Sequence, residues 1–172
     1  MKLERALYNI EILSKHHDSK LFCSRVDALD KYLQQRAGQE IRKYVATTFV
    51  LTARDNSKVI GYYTLSSLAV DAGELPVNIA KKLPKYNLLP ATLLGRLAVD
   101  KKYHGKKLGE LLIVDALRRS INSSKEVASM AIIVDAKDDS AANFYKHYGF
   151  TQFSGYKNKL FMPMATIAKL FE

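Results

Sequence analysis

Apolar positions recur along this chain with two different periods, and the places where the period changes mark its elements. Ser24-Arg-Val-Asp27 resembles a capping box, with Asp standing where Glu or Gln is usual. Behind it Val26, Leu29, Leu33, Ala37 and Ile41 recur at helical spacing while Lys31, Gln34, Gln35 and Arg36 are polar. A first helix is predicted over residues 25–40. Val45 to Thr52 and Val59 to Val70 are β-branched and aromatic, and the turn cluster Asp55-Asn-Ser-Lys58 between them predicts a β-hairpin. Pro76 to Leu83 reads as a short helix that Pro84 stops, and Leu93 to Asp100 as the next strand. After a glycine turn, Leu108, Leu111, Leu112, Ala116 and Leu117 share a helix face that Ile113 and Val114 widen, a breadth that suits packing against a sheet.

Ala128 to Ala136 is a near-continuous apolar run, as in a central strand covered on both faces. Asp139 to Tyr148 reads as a short helix closed by Gly149, with Asp138 beginning it. Thr151 to Phe153 and Leu160 to Leu170 read as final strands around the polar loop Ser154 to Asn158. An early hairpin followed by alternating strands and helices predicts an α/β (α+β) fold, a mixed central sheet flanked by helices. No repeat or Pro/Gly/Ser-rich linker appears, so residues 1–172 are expected to form a single domain.

Charge changes the picture more than size does. The formal net charge of +10 fits either a lysine-rich solvated surface or a polyanionic partner such as RNA, DNA or an acidic protein. No apolar run approaches the ~20 residues that span a bilayer, and Met1-Lys-Leu-Glu-Arg-Ala6 lacks a signal core. The single cysteine, Cys23, excludes an intramolecular disulfide and suits a reducing compartment. A cytoplasmic protein without membrane contact is expected. Cys23 lacks zinc partners, His16, His17 and Asp18 read as a loop, and no metal site is predicted.

The segment Leu94-Gly-Arg-Leu-Ala-Val-Asp-Lys-Lys-Tyr-His-Gly-Lys-Lys-Leu-Gly109 carries the chemistry. It reads as a buried strand, a tight turn and the amino end of a helix, so unpaired N–H groups and a positive dipole end converge on one spot. An anion site beside a strand edge suits the pyrophosphate and pantetheine arm of coenzyme A; the plainer alternative is a surface strand-to-helix turn.

These segments, in this order, resemble the GNAT superfamily of N-acetyltransferases. The strand Arg96-Leu-Ala-Val99 leads into the pyrophosphate loop His104-Gly-Lys-Lys-Leu-Gly109, and a second signature is Asn143-Phe-Tyr145 with Tyr148-Gly-Phe150. Leu29-Asp-Lys-Tyr-Leu33, Gly61-Tyr-Tyr-Thr-Leu-Ser66, Val134-Asp-Ala-Lys-Asp138 and Phe161-Met-Pro-Met164 look like the branch that serves as toxins of type II toxin–antitoxin modules. The resemblance implies a GNAT fold and transfer of acetyl from acetyl-CoA to the α-amine of aminoacyl-tRNA, which blocks translation. It also implies a ribbon–helix–helix antitoxin as partner, operator DNA contacted through that antitoxin, and a homodimer. Two other readings stay open: an acetyltransferase for another amine, such as a protein N-terminus, polyamine or antibiotic, and a weakly CoA-binding, non-enzymatic co-repressor.

By the same resemblance, the backbone of Leu97, Ala98 and Val99 pairs with pantetheine, with a backbone N–H near Val99 holding the oxyanion. His104, Gly105, Lys106, Lys107, Leu108 and Gly109 hold the pyrophosphate, Asn143 contacts the cofactor, and Tyr145 is general acid for the departing thiolate. Tyr145 packed in the core with Phe144 and Tyr148, and Asn143 as a plain polar helix residue, are the alternatives. Lys107 departs from the family pattern, standing where a glycine is normal, and His104 stands for Gln or Arg. If position 107 needs φ > 0, lysine costs on the order of 1 kcal/mol relative to glycine.

No carboxylate stands out as a base, since Glu110 and Asp115 read as solvated or salt-bridged. A lysine amine near pKa ~10.4 would need one, whereas an α-amine near ~7.7–8.0 is already substantially neutral. Arg42, Lys43 and Arg96 are the candidate tRNA contacts, with Lys81, Lys82 and Lys85 behind them; taken singly, each reads more readily as a solvated cation. Arg96 ranks first because it lies on the cofactor strand.

Overall fold

A computed structural model describes residues 6–172; residues 1–5, most of the segment read for a signal core, lie outside the described residues. Seven strands, β1 (Tyr8–Ile12), β2 (Thr47–Ala53), β3 (Val59–Asp71), β4 (Leu88–Val99), β5 (Ala131–Asp135), β6 (Thr151–Gln152) and β7 (Lys159–Pro163), form one sheet. Their order is β1-β2-β3-β4-β5-β7-β6. The β1–β2, β2–β3, β5–β7 and β6–β7 pairs are antiparallel, while β4 and β5 run parallel through Thr92 to Leu94. The helices are α1 (Asp27–Lys31), α2 (Ala37–Arg42), α3 (Val77–Ala80), α4 (Leu108–Ser124), α5 (Asp139–His147) and α6 (Met164–Leu170). This is the mixed sheet with helices that the sequence predicts.

Two compact units make up the chain, and β3, β4 and α4 each run through both. The first unit holds the described part of Met1–Ser66 with Gly95–Ala116. Its core joins Phe22, Tyr32, Leu33 and Ala37 to Val50, Val59, Tyr62 and Ala98. Gly61 permits that packing, because a Cβ there would lie 3.2 Å from Leu112 Cδ1 and 3.3 Å from the Ala98 carbonyl. The second unit, Ser67–Leu94 with Leu117–Glu172, packs Val70, Leu75, Leu89 and Ala91 with Ala131, Ile133, Phe153 and Phe161.

Several elements differ from the sequence reading, each for a local reason. The helix expected over 25–40 begins at Asp27, because Arg25 turns the chain at φ +74°, and a π-helical turn, Tyr32–Arg36, separates α1 from α2. The Ser24–Asp27 capping box does not form; instead the Ser24 N–H and Oγ–H donate to Asp30 Oδ1 at 2.9 and 2.7 Å. Strand β4 starts at Leu88 rather than Leu93, running through Pro90, whose carbonyl accepts from Met130 N–H at 2.8 Å. Strand β5 is shorter than the apolar run that signals it. The strand expected over Leu160–Leu170 ends at Pro163, and Met164–Leu170 is helical. Strand β1, which no pattern announced, pairs with β2 from Tyr8↔Ala53 to Ile12↔Phe49.

Helix α5 follows its sequence signals at both ends. Asp138 caps it, its Oδ1 accepting from Ala141 N–H at 2.8 Å. At the other end Phe150 N–H donates to Tyr145 O at 3.1 Å and Gly149 N–H to Lys146 O at 3.0 Å, with Gly149 at φ +99°. That is a Schellman motif, and it requires a residue at ease in the left-handed region. Gly149→Ala is expected to lower unfolding free energy by about 1–2 kcal/mol in urea titrations. Unchanged stability would show that the turn relaxes to negative φ.

Candidate functional site

In the first unit, strand β4 ends at a buried carboxylate. Asp100 Oδ1 accepts from Lys102 N–H at 2.9 Å, capping the short 3₁₀ turn Lys101–Tyr103, and Oδ2 accepts from Cys23 N–H at 3.1 Å. The backbone repeats the tie: Lys101 N–H donates to Cys23 O at 2.8 Å, and Asp100 N–H to Ile60 O at 2.9 Å. Cys23 is thus a partly buried residue of this seam, as a small packed side chain should be. Leu97, Ala98 and Val99 lie just before it, past the Thr92–Leu94 stretch where β4 pairs with β5. Ala98 points into the core, and Leu97 and Val99 are half-buried.

The loop from His104 to Lys107 then reverses the chain into α4. His104 Nε2–H donates to Val99 O at 2.8 Å, clamping the loop onto the strand end. Gly105 takes φ +81° with open space where a Cβ would be, and Lys107 takes φ +57°. The condition set for position 107 is therefore met: a lysine holds a left-handed conformation that glycine adopts more cheaply. Lys107 O accepts from Leu111 N–H, so Lys107 occupies the cap position of α4. An ammonium can only donate, so this side chain cannot accept the first-turn amides of Leu108, Gly109 and Glu110. Those donors, the helix dipole and the exposed cations of Lys106 and Lys107 favour an anion at this end of a 17-residue helix. The residues present therefore fit a diphosphate.

In the second unit, Asn143 is exposed on α5 and Tyr145 is buried. The Tyr145 ring meets Phe144 and Phe150 edge-on, at 5.4 and 5.5 Å, while Tyr148 contacts Phe144. Burial pushes its phenol above the usual tyrosine range, so it stays protonated.

Basic residues gather in the first unit as well. Arg42 and Lys43 end α2, exposed, and Tyr44 beside them is 96 % exposed at φ +57°. Arg96 is held differently: its guanidinium stacks 3.6 Å above the Tyr32 ring. It lines an open cleft of about 430 Å³ with Leu29, Lys31, Tyr32, Arg36 and Glu40. Tyr32 OH donates to Glu40 at 2.5 Å. Burial first, then that bond, raise the phenol to about 12, so it donates at any physiological pH. Sequence reasoning did not bring Tyr32, Arg36 and Glu40 together with Arg96, because no spacing rule joins a helix face to a strand residue sixty positions on. The carboxylates read as non-catalytic are engaged elsewhere, Asp115 accepting from Tyr63 OH at 2.6 Å and Asp138 capping α5.

The chain is similar to known proteins over most of its length. The acetyltransferase (GNAT) domain family matches residues 46–152. The chain is 36 % identical over 138 residues to the tRNA-acetylating toxin of Mycobacterium tuberculosis (strain ATCC 25618 / H37Rv), covering 80 % of this chain and 81 % of that one. A tyrosine-to-phenylalanine mutant of KacT superposes with TM-score 0.91 at 30 % identity, over 96 % of this chain and 99 % of that one. AtaT complexed with acetyl-methionyl-tRNAfMet superposes with TM-score 0.89 at 30 % identity, with the same coverage. AtaTR bound with acetyl-CoA, at 29 % identity, gives 0.85 over 97 % of this chain and 99 % of that one. A KacTA–DNA complex, at 27 % identity, gives 0.80 over 95 % of this chain and 98 % of that one.

Relief of the left-handed strain at the helix cap is measurable without any ligand. Lys107→Gly is expected to raise unfolding free energy by about 1 kcal/mol in chemical denaturation. No gain would mean that the loop already compensates the lysine.

Proposed function

The chain belongs to the GNAT acetyltransferase family, and from that premise we propose that it moves an acetyl group from acetyl-CoA to the α-amine of the amino acid on charged tRNA. The observation that carries this reading is the turn from β4 into α4, which presents helix-end amides and two lysines to a diphosphate. The tRNA-acetylating relative, and AtaT with its tRNA product, supply the acceptor class. We take residues 1–172 as one domain, because the family match of 46–152 draws on both compact units.

Acetyl-CoA, the co-substrate, supplies an acyl group already activated as a thioester. The amides of Leu108, Gly109 and Glu110 with Lys106 and Lys107 hold its diphosphate, and the backbone of Leu97 to Val99 aligns its amide arm. The amine attacks the thioester carbonyl, the carbon–sulfur bond breaks, and the Tyr145 phenol protonates the departing sulfur. The burial that raises Tyr145 also raises a thiol beside it, so the phenol remains a usable acid. The tyrosinate recovers its proton from the ammonium of the new amide nitrogen. No general base is required, because an α-amine near ~7.7–8.0 is substantially deprotonated at neutral pH. The same argument leaves no step that needs a metal ion.

Arg96, rigid on Tyr32, together with Arg42 and Lys43, contacts the tRNA. A ribbon–helix–helix antitoxin with an acidic or amphipathic tail covers this positive surface and carries the pair to operator DNA; the KacTA–DNA complex supports that arrangement. We place the protein in the cytoplasm as a homodimer. Among the described residues no helix is long and apolar enough to cross a membrane. The strained Lys107 favours one rival, a partner that binds CoA weakly and does no chemistry.

Radiolabelled acetyl-CoA offered with charged tRNAs, free amines and N-terminal peptides is expected to label aminoacyl-tRNA alone. Labelling of a small amine instead would move the enzyme to another acceptor, and no heat with acetyl-CoA in calorimetry would support the non-enzymatic rival. Tyr145→Phe should cut transfer at least ~100-fold and abolish growth arrest while acetyl-CoA still binds. Full toxicity from that variant would remove Tyr145 from the mechanism. Reversing charge at Arg42 and Lys43 should weaken tRNA binding and flatten its salt dependence; an unchanged slope would show that both are merely solvated.

A further inference from the structure

We infer that Glu11, His16 and His17 form a binding site for a divalent transition-metal ion of the zinc class. The sequence reading grouped the histidines with Asp18 and found no ligand set. Asp18 is in fact engaged otherwise, its backbone bridging to Lys58 and its carboxylate accepting from Lys20 N–H at 3.1 Å. Glu11 takes its place. A turn after β1, with His17 N–H donating to Ser14 O at 3.2 Å, folds both imidazoles back onto the strand. Glu11 Oε1 then lies 2.8 Å from His17 Nε2 and 3.3 Å from His16 Nε2, and all three donor atoms fall within 4.8 Å of one another.

Two imidazoles and a carboxylate form a mixed N/O set suited to zinc, copper or nickel, with a further position left for water. Bonds of 2.0–2.1 Å around a tetrahedral ion put neighbouring donors about 3.3 Å apart. His16 and Glu11 already have that spacing, and the His17–Glu11 pair needs to open by about half an ångström. The His17 side chain is only 1 % exposed, which fixes one ligand, while His16 and Glu11 stay accessible enough for an ion to enter.

Ser14 supplies the outer partner such sites use. Its Oγ is 2.5 Å from His16 Nδ1 and 3.4 Å from His17 Nδ1, so it can accept from both rings while their Nε2 atoms face the ion. Without metal, Ser14 N–H donates to His17 Nδ1 at 2.9 Å, so His17 carries its proton on Nε2. Binding therefore moves that proton to Nδ1, so the Ser14 N–H must turn away from the ring and Nδ1–H donates to Ser14 Oγ instead. The ion would clamp strand β1 to the turn that follows it.

The test uses the full chain without an affinity tag. Cobalt(II) is expected to give visible d–d bands at one equivalent. Zinc titration should show one site, weakened tenfold or more by both Glu11→Gln and His16→Gln, with the fold verified by circular dichroism. His147→Gln should bind as the parent does. Nitrogen-15 spectra should show His17 passing from the Nε2–H to the Nδ1–H tautomer as zinc is added. Absence of cobalt bands, zinc affinity unchanged in both site variants, loss of binding in His147→Gln, or a His17 tautomer indifferent to zinc would each overturn the assignment.

Discussion

The turn from β4 into α4 rests on one buried carboxylate. Asp100 is nearly inaccessible, yet its two oxygens accept from two backbone donors that lie far apart in sequence, at Cys23 and Lys102. One bond fixes where β4 stops; the other fixes how the chain turns away from it. The segment that leads into α1 is sewn to the same point by Lys101 N–H and Cys23 O. A carboxylate without these amides would be expensive to bury, and the amides without it would lack acceptors. The orientation of α4's first turn, and so the direction its free amides face, follows from this arrangement.

Electrostatics then act on a frame already set. A net charge of +10 would favour any anion at long range and would be screened by salt. Specificity needs charges held in place, and the chain holds some of them firmly. Arg96 lies flat on Tyr32, and Tyr32 is held in turn by Glu40, so the guanidinium gives up little rotamer freedom when it meets a ligand. Arg42 and Lys43, at an exposed helix end, contribute charge without that order. Lys107 lies between the two cases, exposed in its side chain but committed in its backbone.

What was legible in the sequence was what local pattern determines. The hairpin, α4 and α5 declared themselves through periodicity and caps, and Asp138 and Gly149 do at the ends of α5 what their residue types suggest. The strain at Lys107 was readable because a glycine-bearing turn prescribes its own backbone angle. The misses were of two kinds. Pro90 and Pro163 were ambiguous signs: proline is tolerated within β4, where its carbonyl still takes a partner, yet it marks the end of β7 and the start of α6. The rest were tertiary pairings. Asp30 displaced Asp27 as the partner of Ser24, and Glu11 displaced Asp18 beside the histidines, because a φ of +74° at Arg25 and a turn at Ser14 redirect side chains in ways that spacing does not encode.

Tyr145 is fixed at the end of α5 by the turn that closes the helix. Its carbonyl accepts the longer bond of the Schellman motif, so the residue is pinned at the one place where a helix normally frays. Its ring is wedged edge-on between Phe144 before it and Phe150 just past the cap, and the glycine between is what returns the chain to make that second contact. Backbone and side chain are therefore fixed by the same turn. A proton donor, the role proposed for Tyr145, must be placed to within a fraction of an ångström and must remain protonated until it is used. The packing supplies the first requirement, and the desolvation that accompanies packing supplies the second. One device meets both.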